Sequence, residues 1–294
     1  MLYKFKPILK TLVWGTESWV LSGVPGNESV VAEGPDAGRT LNDIYGGEFP
    51  LLIKFIDAHD DLSIQVHPND ELAARRHGCK GKTEMWYVIG ASEGAHLFSG
   101  LSKSVTPSEY EAHVLDGTIT SILSDYKVAP GDVFFLPAGR IHAIGGGCYL
   151  AEVQQTSNIT YRIYDYNRPG LDGKPRQLHT EEAKEAIDYT VLPDYRTHYV
   201  ARPSERVELV KCPFFTTSLY DLTVAPAEGL AGDGPEQTVR EDISALDVFL
   251  AFICMEGAGT VNGVAVSAGE VVLLSPEEKV LELSGRMKAL TTHE

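Results

Sequence analysis

Apolar and polar residues alternate in short runs along most of the chain, which predicts strands rather than long helices. In Ser63-Ile64-Gln65-Val66-His67-Pro68, Ile64 and Val66 fall on one face, and the Gln65 amide and His67 imidazole on the other. Aimed into a cavity, such a pair is half of a metal site; on an edge strand it is only a solvated surface. The run from Lys82 to Gly90 has the β-branched and aromatic content of a strand, with Lys82, Glu84 and Trp86 on one face. Residues 131–142 read as a turn, a buried strand and a Pro-Gly turn that delivers His142 to the start of the next strand. Tyr149–Gln155 and Thr160–Tyr166 predict two further strands, the second placing Thr160, Arg162 and Tyr164 on a common face.

Helices are few and short. One turn is expected near Thr40–Tyr45. A second helix runs from Pro68 to Gly78, with Asn69 or Asp70 as its cap and Gly78 as its stop. Thr106-Pro107-Ser108-Glu109 is a capping box with Pro in the first helical position, opening a helix that ends near Gly117. Thr180–Ile187 is a fourth, with acids at its positive end. A polar linker over roughly 193–205 precedes a region of strands only, where Asn262-Gly263 marks a type I′ hairpin. Gly269–Pro276 echoes Gly131–Pro137, but the second copy continues with Glu277-Glu278-Lys279-Val280 where the first has Ala138-Gly139-Arg140-Ile141-His142. Two related β-barrels are implied, the second without the histidine.

With 294 residues the chain is long enough for one large domain or two fused ones. A net charge of −16 argues against a nucleic-acid groove or an anionic membrane surface as partner. An anionic small substrate needs a local cluster of Lys and Arg working against that field. Cys79, Cys148, Cys212 and Cys254 are scattered, with no CxxC pair, as expected of reduced thiols. The first residues carry no long apolar segment and no run approaches spanning length, so a cytoplasmic protein is expected.

Gly131, five residues, Pro137, one residue, Gly139, two residues, His142 matches the second cupin motif. A cupin site normally adds a His-x-His pair and a Glu. Here Gln65-Val66-His67 and Glu84 stand in, with Gln in place of the first His. Gln-x-His-Pro, Lys-x-Glu-Met-Trp-Tyr and the 131–142 motif together resemble type I phosphomannose isomerases. Val13-Trp14-Gly15, Ser18-Trp19-Val20-Leu21-Ser22 and the segment Gln154–Tyr166 are similar to the shorter bacterial members, so the resemblance covers nearly the whole chain.

That resemblance implies a mainly β fold of two cupin-like antiparallel β-barrels (jelly rolls) with a few short helices. Residues 1–200 form the catalytic domain, and 201–294 a degenerate second domain without metal ligands. It implies one zinc ion per chain, held by Gln65, His67, Glu84 and His142. Two imidazoles, a carboxylate and a neutral amide leave the ion net positive charge and room for a further ligand, which suits a Lewis acid. The implied reaction is the reversible interconversion of mannose 6-phosphate and fructose 6-phosphate through a cis-enediol. Arg162 matches the family's active-site arginine; the bland alternative is a structural ion pair with Asp165 or another acid. Lys82 and Glu152 are both candidates for proton transfer, and the sequence does not choose between them. Lys82, Arg140 and Arg162 are the basic residues nearest the motifs, and Trp14 and Trp86 are candidates for the pocket wall. Arg75 and Arg76 are expected on a helix surface.

His142 follows Glu84 by only 58 positions, so the helical domain that longer members insert there is missing, which leaves the cover of the pocket open. Two other readings compete: a regulatory cupin that binds a sugar phosphate without turnover, and a metal-dependent dioxygenase. The full ligand set and the basic residues around it favour the isomerase.

Overall fold

The computed structural model describes residues 1–223 and 237–294. Among these residues the architecture is mainly β: twenty strands with four short α-helices and one 3-10 turn, in sheets whose strand pairs are antiparallel. Two compact units emerge. One comprises residues 9–19 and 51–197, the other residues 1–8, 20–50 and 198–294. Residues 20–50 thus group with the C-terminal residues.

The unit of residues 9–19 and 51–197 holds a six-stranded and a five-stranded sheet. In the larger sheet, Cys148–Gln155 lies between Leu51–Ala58 and Glu84–Ala91, and Val133–Leu136 continues beyond Glu84–Ala91. In the smaller, Ile64–Val66 lies between Tyr161–Tyr164 and His142–Ile144, followed by His96–Leu101 and Leu123–Lys127. Trp86, Phe134 and Leu150 of one sheet pack with Leu97 and Ile144 of the other in one apolar cluster. On its opposite side the smaller sheet presents Ile64, Val66, Ala143 and Ile163 to Tyr110 and Ala183 of two helices. Period two therefore does what the sequence pattern requires: the apolar residues of Ile64–Val66 face the helices, and Gln65 faces away.

The helices form where their caps are. Asn69 Oδ1 accepts from Leu72 N at 2.9 Å, and Gly78 closes Asp70–His77 in the left-handed region at φ 65°. Thr106 and Glu109 make both bonds of the capping box on Pro107–Leu115. Thr40 does the same with Asp43 on Leu41–Tyr45, and Thr180–Ala186 is the fourth helix. The strand expected from Lys82 begins only at Glu84, because the Lys82 and Thr83 N–H groups go to Pro68 O and to Gln155 Oε1, at 3.1 and 2.9 Å. A bulge between Arg162 and Tyr164 breaks the other expected alternation. Tyr164 packs on the helix side of the sheet rather than sharing the face of Arg162.

The second unit is built on a nine-stranded sheet in which Leu250–Val261 and Val280–His293 are the longest strands. Its core includes Phe252, Val272, Leu274, Leu283 and Met287. The hairpin at Asn262-Gly263 forms as expected, both residues with positive φ. Both copies of the sequence repeat form four-residue strands, Val133–Leu136 and Val271–Leu274, each preceded by a glycine of positive φ, Gly131 or Gly269. The expectation of strands throughout the C-terminal region includes residues 224–236, which lie outside the described residues. All four cysteines are unpaired. Among the described residues no helix is long and apolar enough to cross a membrane.

Candidate active site

Three side chains from separate strands converge inside the two-sheet unit. His67 follows Ile64–Val66, Glu84 opens Glu84–Ala91, and His142 opens His142–Ile144. All three are buried, and one donor atom from each lies within 4.8 Å of the others. The imidazoles are turned by backbone carbonyls: His67 Nδ1 donates to Ile159 O and His142 Nδ1 to Arg140 O, both at 2.8 Å. Each Nε2 therefore keeps its lone pair and faces the Glu84 carboxylate, His67 at 3.6 Å and His142 at 3.3 Å. Glu84 Oε1 is buried and lacks a hydrogen-bond partner.

Burial chiefly, and then the Lys82 charge, hold both imidazoles neutral: His142 is lowered to about 3 and His67 lies well below its usual value. Glu84 is pushed up to about 7, first by burial and then by Glu152, against the pull of Lys82. Two neutral nitrogens and a carboxylate that burial disfavours as an anion form a cluster that a cation would stabilise. In the structure a cation does sit there. The Lys82 ammonium bonds Glu84 Oε2 and lies 3.1 Å from His67 Nε2.

Gln65 completes the group from the cavity side, with its amide nitrogen 3.3 Å from His142 Nε2. It pairs with His142 on one side and with Arg162 on the other. Gln65 and Lys82 line a cavity of about 260 Å³, with His67, Glu84 and His142 behind them. Arg162, Glu152, Trp14 and Thr160 also line it. Trp86 lies wholly buried, donating to Glu152 Oε2 at 2.9 Å with its ring edge-on to His142.

The alternative for Arg162, a structural ion pair with Asp165, does not form. Asp165 binds Arg168 and Arg176 instead, whereas Arg162 Nη1 donates to Gln177 O at 2.9 Å and its Nε is buried without a partner. Arg140 is absent from the cavity lining; its guanidinium stacks on Tyr195 at 4.5 Å. Arg75 and Arg76 both reach Glu185 at the surface.

Sequence reasoning passed over Lys54, Glu17, Trp19 and Arg176, all of which line the cavity. Lys54 is buried and bonds Glu152 Oε1 at 2.8 Å, with Glu17 at 3.9 Å and the Trp19 ring 5.2 Å away. Burial alone would raise Glu152, but Lys54 and Lys82 outweigh it and hold the carboxyl at about 2. The signal for Lys54 was a lone charge inside Leu51-Leu52-Ile53-Lys54-Phe55-Ile56, a buried run that tolerates lysine only with a partner. A wider, open cleft of about 1010 Å³, lined by Asp57, His59, Asp61 and His96, contains none of the converging donors.

Residues 16–89 match the family described as phosphomannose isomerase type I, catalytic domain. The chain is 34% identical to mannose-6-phosphate isomerase ManA of Bacillus subtilis (strain 168) over 249 residues, covering 74% of this chain and 79% of that one. The chain belongs to the type I phosphomannose isomerase family. It is also 35% identical over 219 residues to mannose-6-phosphate isomerase of Streptococcus mutans, covering 70% of this chain and 69% of that one. The crystal structure of the mannose 6-phosphate isomerase from Bacillus subtilis superposes with a TM-score of 0.82 at 26% identity, over 100% of this chain and 99% of that one. Type I phosphomannose isomerase architecture thus extends over both units, beyond the segment that the family match covers.

Proposed function

We propose that this chain interconverts mannose 6-phosphate and fructose 6-phosphate, with one zinc ion held by Gln65, His67, Glu84 and His142. The convergence of two outward-turned imidazole nitrogens and an unpartnered carboxylate oxygen behind a cation-lined cavity carries this reading. The donor set fits zinc: two nitrogens, one charged oxygen and one neutral oxygen once the Gln65 amide is turned about its last bond. The ammonium of Lys82 among these donors marks a place already suited to positive charge. When bound, the ion supplies Lewis-acid stabilisation of a substrate oxygen.

The remaining chemistry belongs to side chains that face the cavity. Loss of the C2 proton with protonation of the C1 carbonyl oxygen gives the cis-enediol. Return of a proton to C1, with loss of the O2 proton, gives the ketose. Arg162, beside Gln65 in the strand register, donates hydrogen bonds to the oxygen that becomes negative along this path. Lys82 touches both the donor set and the cavity, and in its amine form it takes the proton from C2 and returns it to C1. Glu152, tied to Lys54 and Trp86 and 3.9 Å from Lys82, holds the lysine in place as a fixed anion.

The test is a coupled assay for fructose 6-phosphate made from mannose 6-phosphate, run before chelation, after it, and after zinc is restored. Activity lost on chelation and recovered with zinc supports the reading. No turnover with the metal measurably bound rejects it.

A further inference from the structure

The cavity has two electrostatically different ends. At one end Lys54 and Lys82 are matched by Glu17, Glu84 and Glu152, so their charge is already neutralised. At the other, Arg176 and Arg162 line the cavity, and Arg176 is paired with the carboxylate of Asp165. Two permanent cations line this end, and the carboxylate beside them is also shared with Arg168 outside the cavity, which leaves an excess of positive charge in a chain whose net charge is −16.

We propose that Arg176, with Arg162 beside it, is the anchor for the phosphate dianion of the substrate. The proposal deepens the sugar-phosphate reading above and rests on it. Arg176 is well placed for the task. The loop before it is closed by Gly170 N donating to Lys174 O at 2.7 Å and by a bridge between Pro169 and Pro175. Its Nε and Nη2 both bond Asp165, at 2.6 and 2.5 Å, which fixes the plane of the guanidinium. The donors not used on Asp165 remain for a phosphate, and the planar fork suits its oxygens. Burial first, and the Arg176 charge second, work against the charged form of Arg162. An arriving dianion relieves that repulsion. Arg168 shares Asp165 but lines the separate open cleft, so it is a control for loss of the ion pair alone.

The probe is inorganic phosphate, titrated calorimetrically into the full-length protein at low ionic strength. Wild type should bind it, Arg176→Ala should weaken binding about tenfold or more, and Arg168→Gln should leave it within about twofold. In the isomerase assay Arg176→Ala should raise the KM for mannose 6-phosphate with kcat nearly kept, and Arg176→Lys should recover part of the loss. The proposal is overturned if wild type binds no phosphate, if Arg176→Ala binds it as wild type does, or if Arg168→Gln weakens it equally. Failure of the isomerase reading is seen separately, as absence of turnover in the metal-loaded wild type, because the titration needs no catalysis.

Discussion

Lys54 and Glu152 stand directly opposite each other on neighbouring antiparallel strands, and their charged groups meet at 2.8 Å in the interior. Neither side chain is more than 6% exposed. Removing one partner strands the other in a place water does not reach. Lys54→Met should lower unfolding stability by about 3–5 kcal/mol, whereas Lys54→Met with Glu152→Gln should lose less than that single change. Urea unfolding of the two single variants and the double variant checks this. A double variant as unstable as the sum of the singles would mean that the two groups are not coupled.

His142→Ala should abolish metal binding. Its Nε2 faces Glu84 with Nδ1 tied to a backbone carbonyl, so no neighbouring group can substitute for it without moving a strand. Elemental analysis after purification reads the result. One full equivalent of metal in this variant would remove His142 from the ligand set.

Arg162→Ala should keep the metal and lose catalysis. Loss of one oxyanion donor lowers kcat by roughly 10²–10³. Steady-state kinetics on metal-quantified protein makes the comparison, and near-normal turnover would exclude Arg162 from the chemistry.

The Asp165 carboxyl supplies a pH dependence of stability. Burial works to raise it, but the hydrogen bonds and charge of Arg176, followed by Arg168, hold it below its ordinary value. The unfolded chain then binds this proton more readily, near pH 3.9. Stability from the group is complete above that value and is lost as pH falls through the lower folded-state value. The stability gap between wild type and Asp165→Asn should therefore narrow on acidification from about pH 6 to about pH 3. Denaturant titrations at several pH values measure it; a gap independent of pH would mean that the carboxylate charge contributes nothing.

The site was legible where local geometry reports on chemistry. Gln65 and His67 show through the alternation of Ile64 and Val66, and His142 through the glycines and proline that turn the chain just before it. Other features depend on distant parts of the sequence. Lys54 announces a buried charge, but Glu152 lies 98 positions away, and nothing near either residue names the other. Arg176 sits in a Gly- and Pro-rich loop without periodicity, so its place in the cavity follows only from Asp165. The bulge at Arg162–Tyr164 is a property of the strand pair, and alternation within one strand cannot show it. The grouping of residues 20–50 with the C-terminal segment has the same origin. Val30–Val31 pairs with Phe5 and Lys6, and the strand Leu2–Lys6 in turn pairs with Val272–Leu274.

The backbone-tied imidazoles of His67 and His142 bear on how the protein matures. In domains built around a structural zinc, the ligands repel or stay dispersed until the ion arrives, and folding waits for it. Here the imidazoles are already oriented by Ile159 and Arg140, and Glu84 already has a positive neighbour. Because the ring orientations rest on backbone carbonyls, the fold itself aims the nitrogens that the proposed zinc site would use. If the proposed ion binds there, its chelation should cost activity while the folded chain survives; loss of the far-ultraviolet dichroism on chelation would argue against this order.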